Sequence, residues 1–267
     1  MPSMKSIQSF KGLEKLGRIR LSKSFFMRDF LYSEISNFYG VPNIPENPDL
    51  AVRVGERICE ELLEPLQEAF GRISIRSAYR SPTVNQLGNE KQHSCGSNEN
   101  NRAGHIWDWL THDGYMGGTV CIVVNWYLQR YEETGNFRPL AWWIHDYLPH
   151  AGLCFYPKFC AFNISWSESP GYGSIYSYIP SHGGYLTRAS MDNYGGNHKE
   201  WYPGFPELKT PLTVDDYRRA FEAIAPSLTV GHRAMLAAHF KAPKRTITST
   251  QLAEAAGYET YGGANLQ

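Results

Sequence analysis

The apolar residues Leu50, Val54, Ile58, Leu62 and Leu66 recur at every fourth position, and no other segment restricts the fold as tightly. A stripe at that spacing runs along one face of an α-helix and has to be buried against something else. Asp49, at the end of the proline-bearing NIPENPD, is suited to start the helix, and Gly71 is suited to stop it after Phe70. The period then changes. In RISIRSAYRS, Ile73 and Ile75 alternate with polar neighbours, which predicts a strand.

The rest of the chain is read by the same rules. FFMRDFLYSEISNFY (25–39) is a short element with Ser33 as a cap, and the Asn-, Gly- and Ser-rich segment 85–102 is a loop. TVCIVVNWYLQRY (119–131) is a buried helix or a strand, and AFNISW (161–166) is a strand. Residues 167–210, dominated by Gly, Pro, Tyr and Ser, are expected to be irregular. After a boundary near residue 210 the texture becomes helical. TITSTQLAEAAGYETYGGANLQ has a helix-turn-helix cadence, with Leu252, Ala253 and Ala256 on one face and Gly257 at the break. The expected domains are therefore a core over 1–210 and a helical module over 211–267.

With 42% hydrophobic and 19% charged residues among 267, the chain can bury a sizeable core. Lys+Arg and Asp+Glu number 26 each, so overall charge gives no support for nucleic-acid binding. Five cysteines, Cys59, Cys95, Cys121, Cys154 and Cys160, form no CxxC pair and are odd in number, which suits a reducing compartment better than a disulfide framework. No apolar run approaches the roughly 18 residues of a membrane helix, and the basic N-terminus lacks an apolar export segment. A cytoplasmic protein with no membrane partner is expected.

The stretch NNRAGHIWDW (100–109) sets His105 three residues before Asp108, which reads as metal ligands, a proton-transfer pair or packing. Three segments in order resemble the M15 peptidases, the zinc D-Ala-D-Ala carboxypeptidases and dipeptidases of the Hedgehog/DD-peptidase fold. FLYSEISNFYG followed by LEPLQEAFG is similar to the family's opening element and long helix. SAYRS (77–81) is similar to its S-G-Y-R-S turn. NRAGHIWD and AFNIS align on its S-x-H-x-x-G-x-A-x-D motif and its W-x-H-x-S strand. The resemblance spans about residues 25–170 and implies an α+β fold, a small antiparallel sheet with flanking helices.

It also implies a zinc held by two histidines and one aspartate, a carboxylate base, and an arginine that stabilises the oxyanion. Arg80 stands at the arginine and Asp108 at the aspartate. The histidine positions hold Asn101 and Asn163, and the base position holds Cys160. An amide oxygen is a weak zinc ligand, so the resemblance implies a degenerate site. An alternative register through His93 and Gly96 gains one ligand and loses another, because Asn100 then takes the aspartate's place. A rebuilt site of His105, Asp108 and His145 is a further alternative, with Asp146 or His150 also within the same loop.

The candidate catalytic residues are thus Arg80, His105 and Cys160, the last as a thiol nucleophile or a small core residue. Asn101, Asp108, Asn163, Ser165 and His145 are candidate ligand-binding residues, with Ser165 and Glu168 at a pocket rim or Glu168 simply facing water. Asp108 and His105 are the candidate metal ligands. No cofactor is expected, with zinc as the alternative. The expected function is a catalytically degenerate M15-like protein that binds a polar, peptide or nucleotide-like ligand in the remnant cleft. An active zinc D-Ala-D-Ala peptidase is the alternative. The C-terminal segment also resembles the helical module ahead of HNH domains in restriction-type proteins. Arg233, Lys241, Lys244 and Arg245 would suit DNA phosphates there, which leaves a DNA-associated defence protein as a third reading, against an ordinary helical cap.

Overall fold

The computed structural model describes residues 7–169, 173–208, 218, 221–242 and 247–258. Backbone contacts divide the chain into two compact units, Met1–Leu208 and Lys209–Gln267.

In the first unit, α1 (Phe10–Gly17) and α2 (Glu34–Tyr39) are capped by Ser9 and Ser33, whose hydroxyls accept the backbone N–H of Gly12 and Ser36. The apolar stripe becomes a continuous helical run made of α3 (Pro48–Ile58), a π-turn (Cys59–Leu63) and α4 (Glu64–Phe70). Asn47, rather than Asp49, caps it: its Oδ1 accepts the N–H of Leu50 at 3.2 Å, and Pro48 fills the first position. Asp49 lies in the first turn, where its charge suits the helix dipole. Pro65 explains the π-turn. It has no N–H to give to Glu61, and its ring crowds that carbonyl, so the backbone widens by one residue and the helix continues.

The readings of 119–131 and of 85–102 also change. Residues 119–131 are both a strand and a helix: β2 (Gly117–Val124) carries the β-branched run, and α6 (Asn125–Thr134) begins where the pattern turns polar. The first part of the expected loop is α5 (Pro82–Glu90), started by the Ser81 hydroxyl on the N–H of Val84 at 3.2 Å with Pro82 next to it. The Asn and Gly content of the segment hides that start. Helix α7 (Arg138–Tyr147) follows α6.

The remaining strands are β1 (Ile73–Ser77), β3 (Gly152–Phe155), β4 (Phe162–Ser167), β5 (Ser174–Ser177) and β6 (Gly184–Thr187), so the segment after 167 is not all irregular. They form one open six-stranded sheet in the order β1-β2-β4-β3-β5-β6. The sheet is mixed rather than purely antiparallel, because β3 and β5 run parallel.

Register divides the sheet into two unlike faces. Gly118, Val120 and Ile122 on β2 stand opposite Trp166, Ile164 and Phe162 on β4, and this face meets the core. The intervening positions pair Thr119 with Ser165 and Cys121 with Asn163, and Cys154 on β3 also faces Asn163. This second face is polar and thiol-bearing. Gly118 lets α3 approach the first face: a Cβ there would lie 2.5 Å from Val54, 2.6 Å from Ile58 and 3.1 Å from Trp107. Gly118→Ala is therefore expected to cost about 1–3 kcal/mol by overpacking, read as a lower urea midpoint. An unchanged midpoint would mean that the helix yields freely.

In the second unit, α8 (Val230–Lys241) and α9 (Ser249–Ala255) start at Thr229 and Thr248, each hydroxyl accepting a backbone N–H three residues on. Gly257 follows α9 with φ +77°. Most of the segment 211–220, together with Lys244, Arg245 and residues 259–267, lies outside the described residues. Among the described residues no helix is long and apolar enough to cross a membrane.

Candidate functional site

A cleft of about 700 Å³ opens on the polar face of the sheet. Its floor carries Cys121, Asn163 and Tyr156, and its walls come from α2, the loop around Cys95, and the turns that hold Arg80 and His105.

Arg80 follows β1 in the SAYRS turn, held by its own N–H to the carbonyl of His105 at 2.8 Å. Its Nη1 contacts the sulfur of Cys95. Its Nε is buried with no hydrogen-bond partner among the described residues, an unmet donor beside a cleft. Burial works against the guanidinium charge, and the nearest compensation comes from Cys95.

His105 is only 6% exposed. Its Nδ1 lies 2.8 Å from the carbonyl oxygen of Ala78. A carbonyl only accepts, so Nδ1 carries the proton and Nε2 keeps its lone pair. Burial first, then the neighbouring Arg80 charge, push its pKa down to about 3. His105 is therefore a neutral acceptor at the cleft wall.

Asn101 uses both amide hydrogens internally, on Asn85 Oδ1 and on the carbonyl of Gly96, each at 3.1 Å. Asn163 donates to the Tyr156 hydroxyl at 3.1 Å, and Tyr156 stacks on Tyr178. Arg80, Asn101, Asn163 and His105 thus meet in one cleft. The other expected residues do not join them.

Asp108 stands on the far side of its segment. Its Oδ2 accepts the N–H groups of Glu46 and Asn47 at 2.7 and 3.2 Å, and its Oδ1 accepts the Tyr79 hydroxyl at 3.1 Å. It ties the start of α3 to the motif turn. Asp108 therefore does not join Asn101 and Asn163 in the cleft. His145 lies on α7: its Nε2 donates to the carbonyl of Tyr194 at 2.9 Å, and its Nδ1 accepts from His150 at 3.1 Å. Asp146 is taken by His198 and Tyr202, at 2.6 Å each. His105, Asp108 and His145 go to three different places, so the rebuilt metal set is not assembled. Among the described residues no group of three or more His, Cys, Asp or Glu side chains is arranged to hold a metal ion.

Ser165 lies on the polar face, bonded to Thr119 at 2.8 Å, but does not line the cleft. Glu168 accepts the N–H of Met116 at 3.1 Å instead of standing at its rim. Cys160 is 2% exposed in the core, away from the cleft, and burial alone pushes its thiol pKa up, which suits packing and not a nucleophile. In the second unit, Arg233 is engaged by the carbonyl of Ala225.

Cys95, Cys121 and Tyr156 were not legible as site residues. Cys95 had one signal, a thiol in a polar loop instead of an apolar run. The other two depend on strand register, which no single strand encodes. Comparison with protein-family models, with curated proteins and with solved structures returned no match.

Proposed function

We propose that this chain is a zinc-independent, catalytically degenerate relative of the M15 peptidases, with a Hedgehog/DD-peptidase-like core whose remnant cleft binds a small polar ligand. One observation carries the reading. Arg80, Asn101 and Asn163, set apart in sequence and singled out by the resemblance, line the same cleft. The element order, from capped α2 and the long helix through β1 and the SAYRS turn to β4, is in keeping with it.

The residues do not fit a zinc ion. Asn101 and Asn163 turn amide nitrogens to internal partners, the Asp108 carboxylate faces backbone N–H groups, and Cys160 is buried elsewhere. No step through a metal follows from such a set. What the cleft offers is the Arg80 cation, an acceptor at His105 Nε2, and the rings of Tyr39 and Tyr156. Those groups suit a short peptide with a free carboxylate for Arg80 and an N–H for His105. Glu34 at the lip is exposed to solvent.

D-Ala-D-Ala is expected to bind as the free acid and much more weakly as the amide. Arg80→Gln is expected to weaken the acid about 10- to 100-fold, the equivalent of one charge-assisted hydrogen bond of about 1.5–3 kcal/mol. Titration calorimetry reads both. Equal affinity for acid and amide would overturn the proposal, and so would zinc-dependent cleavage of the dipeptide by the wild type.

A further inference from the structure

We infer that Cys95 is the reactive thiol of this cleft and takes carboxylate-bearing low-molecular-weight disulfides as covalent partners. Three observations combine. Cys95 is half-buried on the cleft wall with its sulfur against the Arg80 guanidinium. Its backbone is held from both sides: Asn89 donates to its carbonyl at 2.7 Å, and Asn85 and Asn101 both donate to that of Gly96 at 3.1 Å. His105, more than nine-tenths buried in the same cleft, presents an Nε2 with no partner among the described residues, placed to receive a ligand N–H.

The other thiols are worse placed. Cys59 and Cys160 are buried, and desolvation pushes those of Cys121 and Cys154 up, Cys121 to about 11. Cys121 and Cys154 flank Asn163 on opposite sides of β4, so their Cα atoms stand about 10 Å apart, too far to bridge.

In the reaction, the Cys95 thiolate attacks one sulfur of R–S–S–R′. The Sγ–S bond forms as the S–S bond breaks, and R′S⁻ leaves and takes a proton from water. Cys95 is oxidised and the small disulfide is reduced. Arg80 exchanges the thiolate for the ligand carboxylate as the charge on sulfur is lost. The inference rests on the ligand-binding reading only for that carboxylate's position.

The test treats the full chain with glutathione disulfide or neutral bis(2-hydroxyethyl) disulfide and follows each cysteine by peptide mass mapping. Glutathione is expected on Cys95 about tenfold faster than on Cys121 or Cys154, and about tenfold faster than the neutral reagent's label. Arg80→Gln should erase that preference. Should that variant not fold, raised salt should erase it in the wild type. First labelling at another cysteine, equal rates for the two reagents, or a Cys95–Cys121 disulfide in place of an adduct would overturn the inference. Cys95→Ser separates the two readings. If it still binds D-Ala-D-Ala, failed labelling counts against Cys95 alone. If selective labelling occurs without dipeptide binding, the peptide reading fails and the thiol remains.

Discussion

Asp108→Ala is expected to lower the unfolding free energy by about 3 kcal/mol, the largest loss for one side chain in the motif segment. The carboxylate is 5% exposed and accepts from the N–H groups of Glu46 and Asn47 and from the Tyr79 hydroxyl. Alanine leaves these donors buried without partners, and each unmet donor costs about 1–3 kcal/mol. Part of the loss is returned, because burial pushes the Asp108 pKa up against those same hydrogen bonds, so its charge is held at a cost. The effect belongs to the fold. Urea unfolding should register it, while D-Ala-D-Ala affinity of the folded variant stays near the wild-type value. Arg80→Gln should do the reverse. Lost affinity with unchanged stability in Asp108→Ala would mean that the carboxylate faces the cleft after all.

Acidification should destabilise the protein well above the carboxylate range, through two buried histidines. Burial pushes the pKa of His105 and of His150 down to about 3, with the Arg80 charge assisting at His105 and His145 at His150. Unfolding restores both to about 6.5. Below that value the unfolded chain binds protons that the folded chain refuses, so stability is full above about pH 6.5 and falls as pH drops toward 3. At about 1.36 kcal/mol per unit, the loss at pH 4 is roughly 3 kcal/mol for each ring. Asp108 acts with the opposite sign, since its raised pKa makes the folded state take up its proton first. His105→Asn keeps a donor for the Ala78 carbonyl, and His150→Gln keeps one for His145, yet neither titrates. Urea midpoints at pH 7 and pH 4.5 should differ by less in each variant than in the wild type. An equal pH dependence in all three proteins would remove the histidines as its cause.

The sequence by itself determined the parts whose signals are local. The four-residue stripe predicts a helix over 50–70, inside the run Pro48–Phe70, alternation predicts β1, AFNISW reads as the strand that is β4, and Ser33 reads as a cap; each depends on neighbours within a few residues. It missed α5 because a Ser-Pro start is outweighed by Asn and Gly, and it left 119–131 open because an apolar run fits helix or strand alike. It also brought Arg80, Asn101 and Asn163 into consideration together, by resemblance and not by geometry.

Only the tertiary structure decided which way each side chain faces. His105 and Asp108 are three residues apart in one motif, yet His105 turns to the cleft and Asp108 to the start of α3, because the turn between them is neither helix nor strand. Cys121 and Cys154 flank Asn163 through strand pairing, and Cys95 meets Arg80 through loop packing. The physical reason is one of range. Helix periodicity and caps are set by bonds within four residues, whereas a binding face is set by register and packing between segments tens of residues apart, and a shift of one residue would turn every side chain of a strand to the other face.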